Sequence, residues 1–291
     1  MYTSDNFAQF QSLDLSKEIA LINPQRTPFL SFLLQMGKTS KAESPIINWY
    51  EETLGSDAIS TGIEGQDAPA DKQDVTALLT NYTELLLGTA KVSCTAQASN
   101  IVGVNDLMAR ETTKKLTQLK YKLEDTIMTG TLAVKTGSVG QKMNGLLNQI
   151  NASNVVTAVG SVVTKADFEA MIKKLYDAGT SDNMVCFISD TDKVAVNEFY
   201  GVQYFAKDLF LGFTCDKYHT EYGDVTFVLC PSLSGAKSVV VVNPDYLELK
   251  ELQPAQAVDL AITGDSISKM VKVEATLKLG NSKGASKIVL V

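Results

Sequence analysis

Histidine is almost missing from this chain, with His219 the single example in 291 residues. Imidazole alone among unperturbed side chains changes charge near neutral pH, so acid–base catalysis and metal ligation of the usual kinds have one seat at most. That seat lies in a hairpin-like run, where a structural role is expected. Cysteine is sparse too: Cys94, Cys186, Cys215 and Cys230 stand far apart with no C-x-x-C spacing. A chain of this size needs no disulfide framework, and the spacing points to reduced, mostly buried thiols. The sequence contains no G-x-S-x-G elbow, no G-x-x-x-x-G-K-[ST] loop and no strand-linked G-x-G-x-x-G, which removes the common hydrolase and nucleotide-binding classes. Glu51 with Glu52, and Asp190 with Asp192, are carboxylate pairs only along the chain. Catalysis needs groups that converge across space, whereas these diverge on a strand or cap a helix. Asp190-Thr-Asp192 is followed by neither the third ligand nor the glycine and glutamate of a calcium loop. No catalytic, cofactor-binding or metal-binding residue is assigned.

Positive charge is also scarce. Lys and Arg number 26 against 33 Asp and Glu, a net charge of −7, so affinity for nucleic acid through phosphate neutralisation is excluded and any DNA contact is incidental. No apolar run approaches the ~20 residues that cross a bilayer, and MYTSDNFAQF has neither the basic nor the apolar region of a secretory signal. Synthesis in the cytoplasm is expected, with no membrane partner. Asn81 and Asn151 head glycosylation sequons that carry no meaning without a secretory route. What remains is a chain with 45% apolar residues, long enough to bury about three quarters of its unfolded surface in one or two domains.

The most informative stretch that is present runs from 55 to 80, GSDAISTGIEGQDAPADKQDVTALLT, acidic and rich in small residues. A structureless connection longer than about 15 residues is uncommon inside a compact domain. Its flanks, IINWYEETL (46–54) and NYTELLLGTAKVSCTA (81–96), are strand-like, and the expectation is that they pair as one long hairpin reaching roughly 60 to 80 Å. A lone two-stranded hairpin is marginal in water, so such a finger needs a neighbouring copy to lie on. Asp57, Glu64, Asp67, Asp71 and Asp74, opposed only by Lys72, give the stretch much of the chain's negative charge.

Upstream, Pro24, Pro28 and Pro45 forbid a long helix, while Phe29, Leu30, Phe32, Leu33 and Leu34 demand a docking surface on this body or a partner. From Val104 to Thr129 the sequence holds no Gly or Pro, and Leu116, Leu119, Leu123 and Ile127 recur at steps of three and four. This predicts a spine helix of about 37 Å, capped by Asn105 and ended by a left-handed Gly130. Its polar face leans basic through Arg110, Lys114, Lys115, Lys120 and Lys122, a complement to the acidic stretch of another copy that salt would weaken.

Residues 146–244 alternate between helical and strand patterns and read as an α/β block with its own core. Thr164 caps a helix that ends at Gly179, MVCFISDT is a buried strand, a shorter helix begins at Asp190 or Thr191, and a hairpin turns at Tyr222-Gly223-Asp224. In the last 45 residues Val271, Val273, Ala275, Leu277 and Leu279 alternate strictly with polar residues. They form a half-buried antiparallel strand whose apolar face needs the spine helix.

NPQRTPFLSFLL, then the strand with Trp49, Glu51 and Leu54, then NYTELLLGTAKVSCT leading into the long helix, then Met143-Asn-Gly145-Leu, taken in that order, resemble the major capsid proteins of tailed bacteriophages. That fold is shared with herpesvirus capsid floors and encapsulins. The resemblance is strongest from about 20 to 147, vaguer across 146–244, and returns at LAITGDSISKMVKVEATLKL. It implies an α+β fold with an N-terminal arm (1–45), an extended loop (46–99), a peripheral domain (100–145 with 245–291) holding the spine helix, and an inserted axial domain (146–244). It further implies an icosahedral shell of pentamers and hexamers around double-stranded DNA, with each loop lying across a neighbour's peripheral domain. Portal, scaffolding and decoration proteins are the implied partners; with so few residues ahead of Asn23, either the scaffold is a separate protein or the chain is already the mature form. Trp49, the acidic loop residues and the basic helix residues are then candidates for contacts between subunits. Lys72 is the only loop lysine available for the covalent cross-link a few relatives make. Two other readings stay open: an encapsulin-like cargo compartment, and a cytosolic α/β enzyme acting through 146–244.

Overall fold

The computed structural model describes residues 27–53, 59, 61–68, 70, 74–99, 106–137, 139–160, 162–200, 208–210, 213–262 and 264–291. Pro28 opens helix α1 (Pro28–Gln35), where its missing N–H costs nothing and its fixed φ suits a first turn. Strands β1 (Thr39–Lys41), β2 (Ile46–Thr53), β3 (Val75–Tyr82) and β4 (Glu84–Ser93) follow, then the short α2 (Cys94–Ala98) and the spine α3 (Leu107–Thr129). A one-turn α4 (Leu146–Gln149) leads into β5 (Val155–Ala158), α5 (Lys165–Asp177), β6 (Met184–Ile188), α6 (Asp190–Tyr200), β7 (Asp208–Phe210), β8 (Phe213–Thr220), β9 (Gly223–Leu229) and β10 (Ser238–Val242). The chain finishes with β11 (Leu247–Asp259), β12 (Ser266–Leu279) and β13 (Ala285–Leu290).

These strands build a four-stranded sheet ordered β1-β11-β12-β4, a seven-stranded sheet ordered β5-β13-β10-β6-β9-β8-β7, and the two-stranded ribbon β2-β3. The apolar set expected in β12 is buried, with Val271, Val273, Ala275, Leu277 and Leu279 each 2% exposed or less, but Glu274 and Thr276 on the alternate face are buried as well, so the middle of the strand is covered on both faces. The apolar face packs with Leu119, Leu123 and Ile127 of α3 in one continuous core that also takes in Phe187 and Val240 of the larger sheet. The two sheets are thereby bolted together. The apolar α1 docks on its own body, Phe29 and Phe32 standing edge-on to Phe187 at 4.9 and 5.5 Å between centroids. A second core under α5, built from Phe168, Met171, Ile172 and Leu175, fills the other face of the seven-stranded sheet.

Several expectations change in detail. The ribbon partner of β2 is β3, with Thr53 opposite Val75 and Ile46 opposite Tyr82, and NYTELLLGTAKVSCTA contributes only its first two residues. The remainder becomes β4 and pairs antiparallel with β12 from Ser266↔Ser93 to Ala275↔Glu84. The switch happens because the chain is pinned at Asn81 and Thr83, both fully buried. The Asn81 side chain donates to the carbonyls of Leu277 at 2.7 Å and Asn144 at 3.0 Å and accepts from Asn144 N–H at 2.8 Å. Thr83 donates to Glu274 at 2.7 Å. Eight-residue legs span about 27 Å, so the paired part of the finger is far shorter than the sequence estimate.

The spine helix starts at Leu107 and its cap is Asp106, which accepts from Ala109 N–H at 3.0 Å, in place of Asn105, which lies outside the described residues. Gly130 ends it at φ −51°, not left-handed. Glycine is required there for another reason: a Cβ at 130 would stand 2.5 Å from the Thr126 carbonyl, and one at Gly145 would stand 2.5 Å from the Gly130 nitrogen. The end of α3 and the start of α4 meet backbone to backbone, which explains the Met143-Asn-Gly145 motif, Met143 being the fully buried plug between them. In the α/β block Thr164 caps α5 and Gly179 ends it at φ +70° as expected. Helix α6 begins at Asp190, as expected, with the Ser189 Oγ accepting from Asp192 N–H at 3.2 Å. The β8–β9 turn sits one residue early, at Glu221-Tyr222, with Thr220 opposite Gly223. Finally, β13 leaves the neighbourhood of the spine helix and enters the larger sheet between β5 and β10.

Candidate assembly surfaces

The ribbon β2-β3 is tied to its own subunit along part of its length and bare elsewhere. Near the outer end of the ladder, opposite Ala77, Glu51 accepts from the N–H and hydroxyl of Ser282 at 3.2 and 2.8 Å, so this carboxylate is a tether. Trp49 is 9% exposed and turned into its own subunit. On the opposite face of the same strand Tyr50 lies across from Leu78; these are 74% and 56% exposed. Val75, on the other face of β3, and Ile59 and Ile63 beyond the ladder are also more than two-thirds exposed. Gly65 at φ +83° and the Gln66 amide, which accepts from Ile63 N–H at 3.0 Å, shape a local turn there. So many large apolar side chains in water on one ribbon mark an interaction surface.

Glu64 and Asp67 are exposed on this outer part and Asp74 is half-buried at the foot of β3; Asp57, Asp71 and Lys72 lie outside the described residues. On α3, Lys120 and Lys122 are exposed, while Arg110, Lys114 and Lys115 are half-buried. Lys114 already pairs with Glu111 at 2.7 Å and Lys115 donates to Gln118 at 3.0 Å. Each is an ordinary intrahelical pair worth a few tenths of a kcal/mol, easily exchanged for another partner.

A surface that sequence reasoning missed is the outer face of the four-stranded sheet, opposite the layer formed by α3. Leu86, Ala90 and Val92 of β4 point inwards and are buried, whereas Leu85 and Leu87 point outwards, 46% and 57% exposed. Beside them stand Lys91 and, across the ladder from Leu87, Lys272. The signal was available as period-two alternation through ELLLGTAKVS, hidden because that run had been assigned to the finger.

His219 is exposed on the β8–β9 turn next to Asp224. Among the described residues of the α/β block, polar side chains converge on Lys193, 8% exposed, whose ammonium meets Asp216 at 3.0 Å, Asn197 at 3.0 Å and the Tyr218 hydroxyl at 3.0 Å. All three N–H donors are used, and the ammonium lies 4.4 Å from the centroid of the Phe227 ring. This is a closed structural knot tying α6 to β8 and β9. Cys186 and Cys230 are free and buried, their thiols pushed up by desolvation; Cys94 is half-buried, and the Cys215 side chain lies outside the described residues. Among the described residues no cluster of His, Cys, Asp and Glu could hold a metal ion, and no helix is long and apolar enough to cross a membrane.

A fold with a projecting ribbon, a spine helix under one sheet and a second α/β sheet has counterparts among shell proteins. A structure from the cyanophage A-1(L) capsid asymmetric unit superposes with a TM-score of 0.71 at 12% identity, covering 99% of each chain. One from Mycobacterium phage Adephagia gives 0.65 at 13% identity, covering 100% of this chain and 98% of the other. An encapsulin from Synechococcus elongatus gives 0.61 at 9% identity, covering 99% and 95%. Likeness at such identities shows a common fold. In sequence, the chain is 28% identical over 121 residues to the major capsid protein of Escherichia phage Phieco32, a match spanning 41% of this chain and 33% of that one. The chain thus aligns with about a third of that relative's length. The family description of the SU10 major capsid protein matches residues 3–291, and the chain therefore belongs to the SU10 major capsid protein family, as a structural protein of a capsid shell.

Proposed function

We propose that the chain tiles an icosahedral shell around the double-stranded DNA of a tailed phage, and that each copy completes its finger on the next. The observation that carries this reading is the set of exposed large apolar side chains on the ribbon and beyond it, Tyr50, Leu78, Val75, Ile59 and Ile63, which none of the described residues covers. The receiving surface is the outer face of the adjacent copy's four-stranded sheet, where Leu85 and Leu87 supply apolar area and Lys91 and Lys272 face the acidic Glu64, Asp67 and Asp74. Arg110, Lys114, Lys115, Lys120 and Lys122 form a second basic surface open to the same acidic segment. In this scheme 1–45 is the arm, 46–99 the extended loop, 100–145 with β11 and β12 the peripheral domain, and 146–244 the axial domain, to which β13 adds a strand. Net charge of −7 keeps the wall from clinging to DNA phosphate. The role is structural and not enzymatic. Synthesis takes place in the host cytoplasm, and portal, scaffolding and decoration proteins are the further partners.

Each contact is weak alone and strong in sum because closed symmetry repeats it. Replacing both Leu85 and Leu87 by Asp places two carboxylates in the contact, costing several kcal/mol per interface, while the subunit keeps its inward-facing core. Sedimentation and negative-stain microscopy should show subunits or small capsomers in place of closed shells, with unchanged circular dichroism. Closed shells in normal yield would remove this face from the assembly scheme.

A further inference from the structure

The capsid role does not account for Glu124. This residue sits on the buried face of α3 and is 1% exposed, yet it makes no ion pair with any described residue. Its two carboxyl oxygens accept from the backbone N–H groups of Phe29 at 2.9 Å and Leu30 at 2.6 Å, the first free donors of α1. A side chain some ninety residues away therefore does the work normally left to a local N-cap. Beside it opens a cavity of about 390 Å³ lined by Thr27, Tyr121, Asp125, Thr129 and Ser232, through which water and protons reach an otherwise enclosed group. The groups that face Glu124 are few. Its own helix supplies Tyr121 and Asp125, the end of β9 supplies the Cys230 thiol at 3.7 Å, α1 (PFLSFLLQ) supplies no titratable side chain, and the 231–236 segment supplies none either. No described cation offsets the charge, and Asp125 opposes it.

We propose that Glu124 is a proton-operated latch on α1: in its neutral form it holds the helix firmly on the body, and on ionisation it loosens the helix and with it the anchorage of the N-terminal segment. Burial pushes the Glu124 carboxyl up from 4.5 to about 7, against the opposing pull of the Leu30 and Phe29 N–H groups. Docked α1 thus keeps a proton that the undocked state, with this carboxyl in water, gives up at about 4.5. Docking is firmest below that value and weakens as pH rises through about 7, by up to the order of 10²-fold. Phe29 and Phe32 keep the helix seated throughout, so the proton sets how often it opens.

The test is hydrogen exchange on the full chain between pH 5 and pH 8, corrected for the intrinsic pH dependence of exchange, with the amides of α5 as internal reference. Protection of the α1 amides should fall by one to two orders of magnitude over this range while α5 stays level. Glu124→Gln, which stays neutral, should flatten the α1 response. A level α1 profile in the unaltered chain, or the same slope in Glu124→Gln, would overturn the latch. Should that variant not fold, infrared difference spectroscopy of the unaltered chain decides: a buried carboxyl losing its proton near pH 7 supports the proposal, and no such titration above pH 5.5 refutes it.

Discussion

Replacing residues 54–74 by an Asn-Gly turn abolishes normal shell formation and leaves a folded subunit. The geometry for this replacement is already present, because Thr53 and Val75 face each other at the end of the β2-β3 ladder and a two-residue Asn-Gly turn matches the twist of such a pair. None of the described residues of 54–74 belongs to the three buried clusters, and shortening a loop costs a domain little. The same replacement removes Ile59, Ile63, Lys72 and all five acidic residues of the stretch at once. Thermal unfolding should therefore shift by no more than a few degrees, while microscopy of the concentrated protein shows no closed shells. Normal particles from this variant would mean that the finger's outer half has no bridging role.

Lys193→Ala is expected to destabilise the subunit by about 3–5 kcal/mol, the usual result of removing one partner of a buried pair. Asp216 loses its counter-charge and Asn197 and Tyr218 lose a donor, while the aliphatic stem that covered Phe227 disappears. Lys193→Met combined with Asp216→Asn should recover most of that loss, since it restores apolar contact and removes the stranded charge. Urea unfolding of the three proteins measures both effects. A cost below about 1 kcal/mol for Lys193→Ala would show that the knot adds nothing that packing of α6 does not already supply.

The parts of this fold that could be read in advance are those governed by local periodicity. The 3.6-residue pattern of Leu116, Leu119, Leu123 and Ile127 and the two-residue pattern of Val271 to Leu279 each specify a buried face without reference to anything distant. The parts that escaped depend on single long-range contacts. Nothing in NYTELLLG announces that Asn81 hooks onto Leu277 and Asn144, yet that hook ends the ribbon and sends β4 into the body sheet. Likewise Gly130 and Gly145 are needed because two backbones meet. The site followed the same division. Acidic charge and exposed apolar residues in the loop were visible as composition, whereas Leu85 and Leu87 acquired meaning only once β4 had been moved from the finger to the sheet. Nothing local in the sequence singles out Glu124, because the helix it caps is separated from it by the whole of the loop and ribbon.

The most direct test of the central claim is a side-chain-resolution map of the assembled shell. Tyr50 and Leu78 should lie against Leu85 and Leu87 of an adjacent copy, with the acidic outer segment over Lys91 and Lys272. A finger folded back onto its own subunit, or standing free in solvent while closed shells persist, would contradict it.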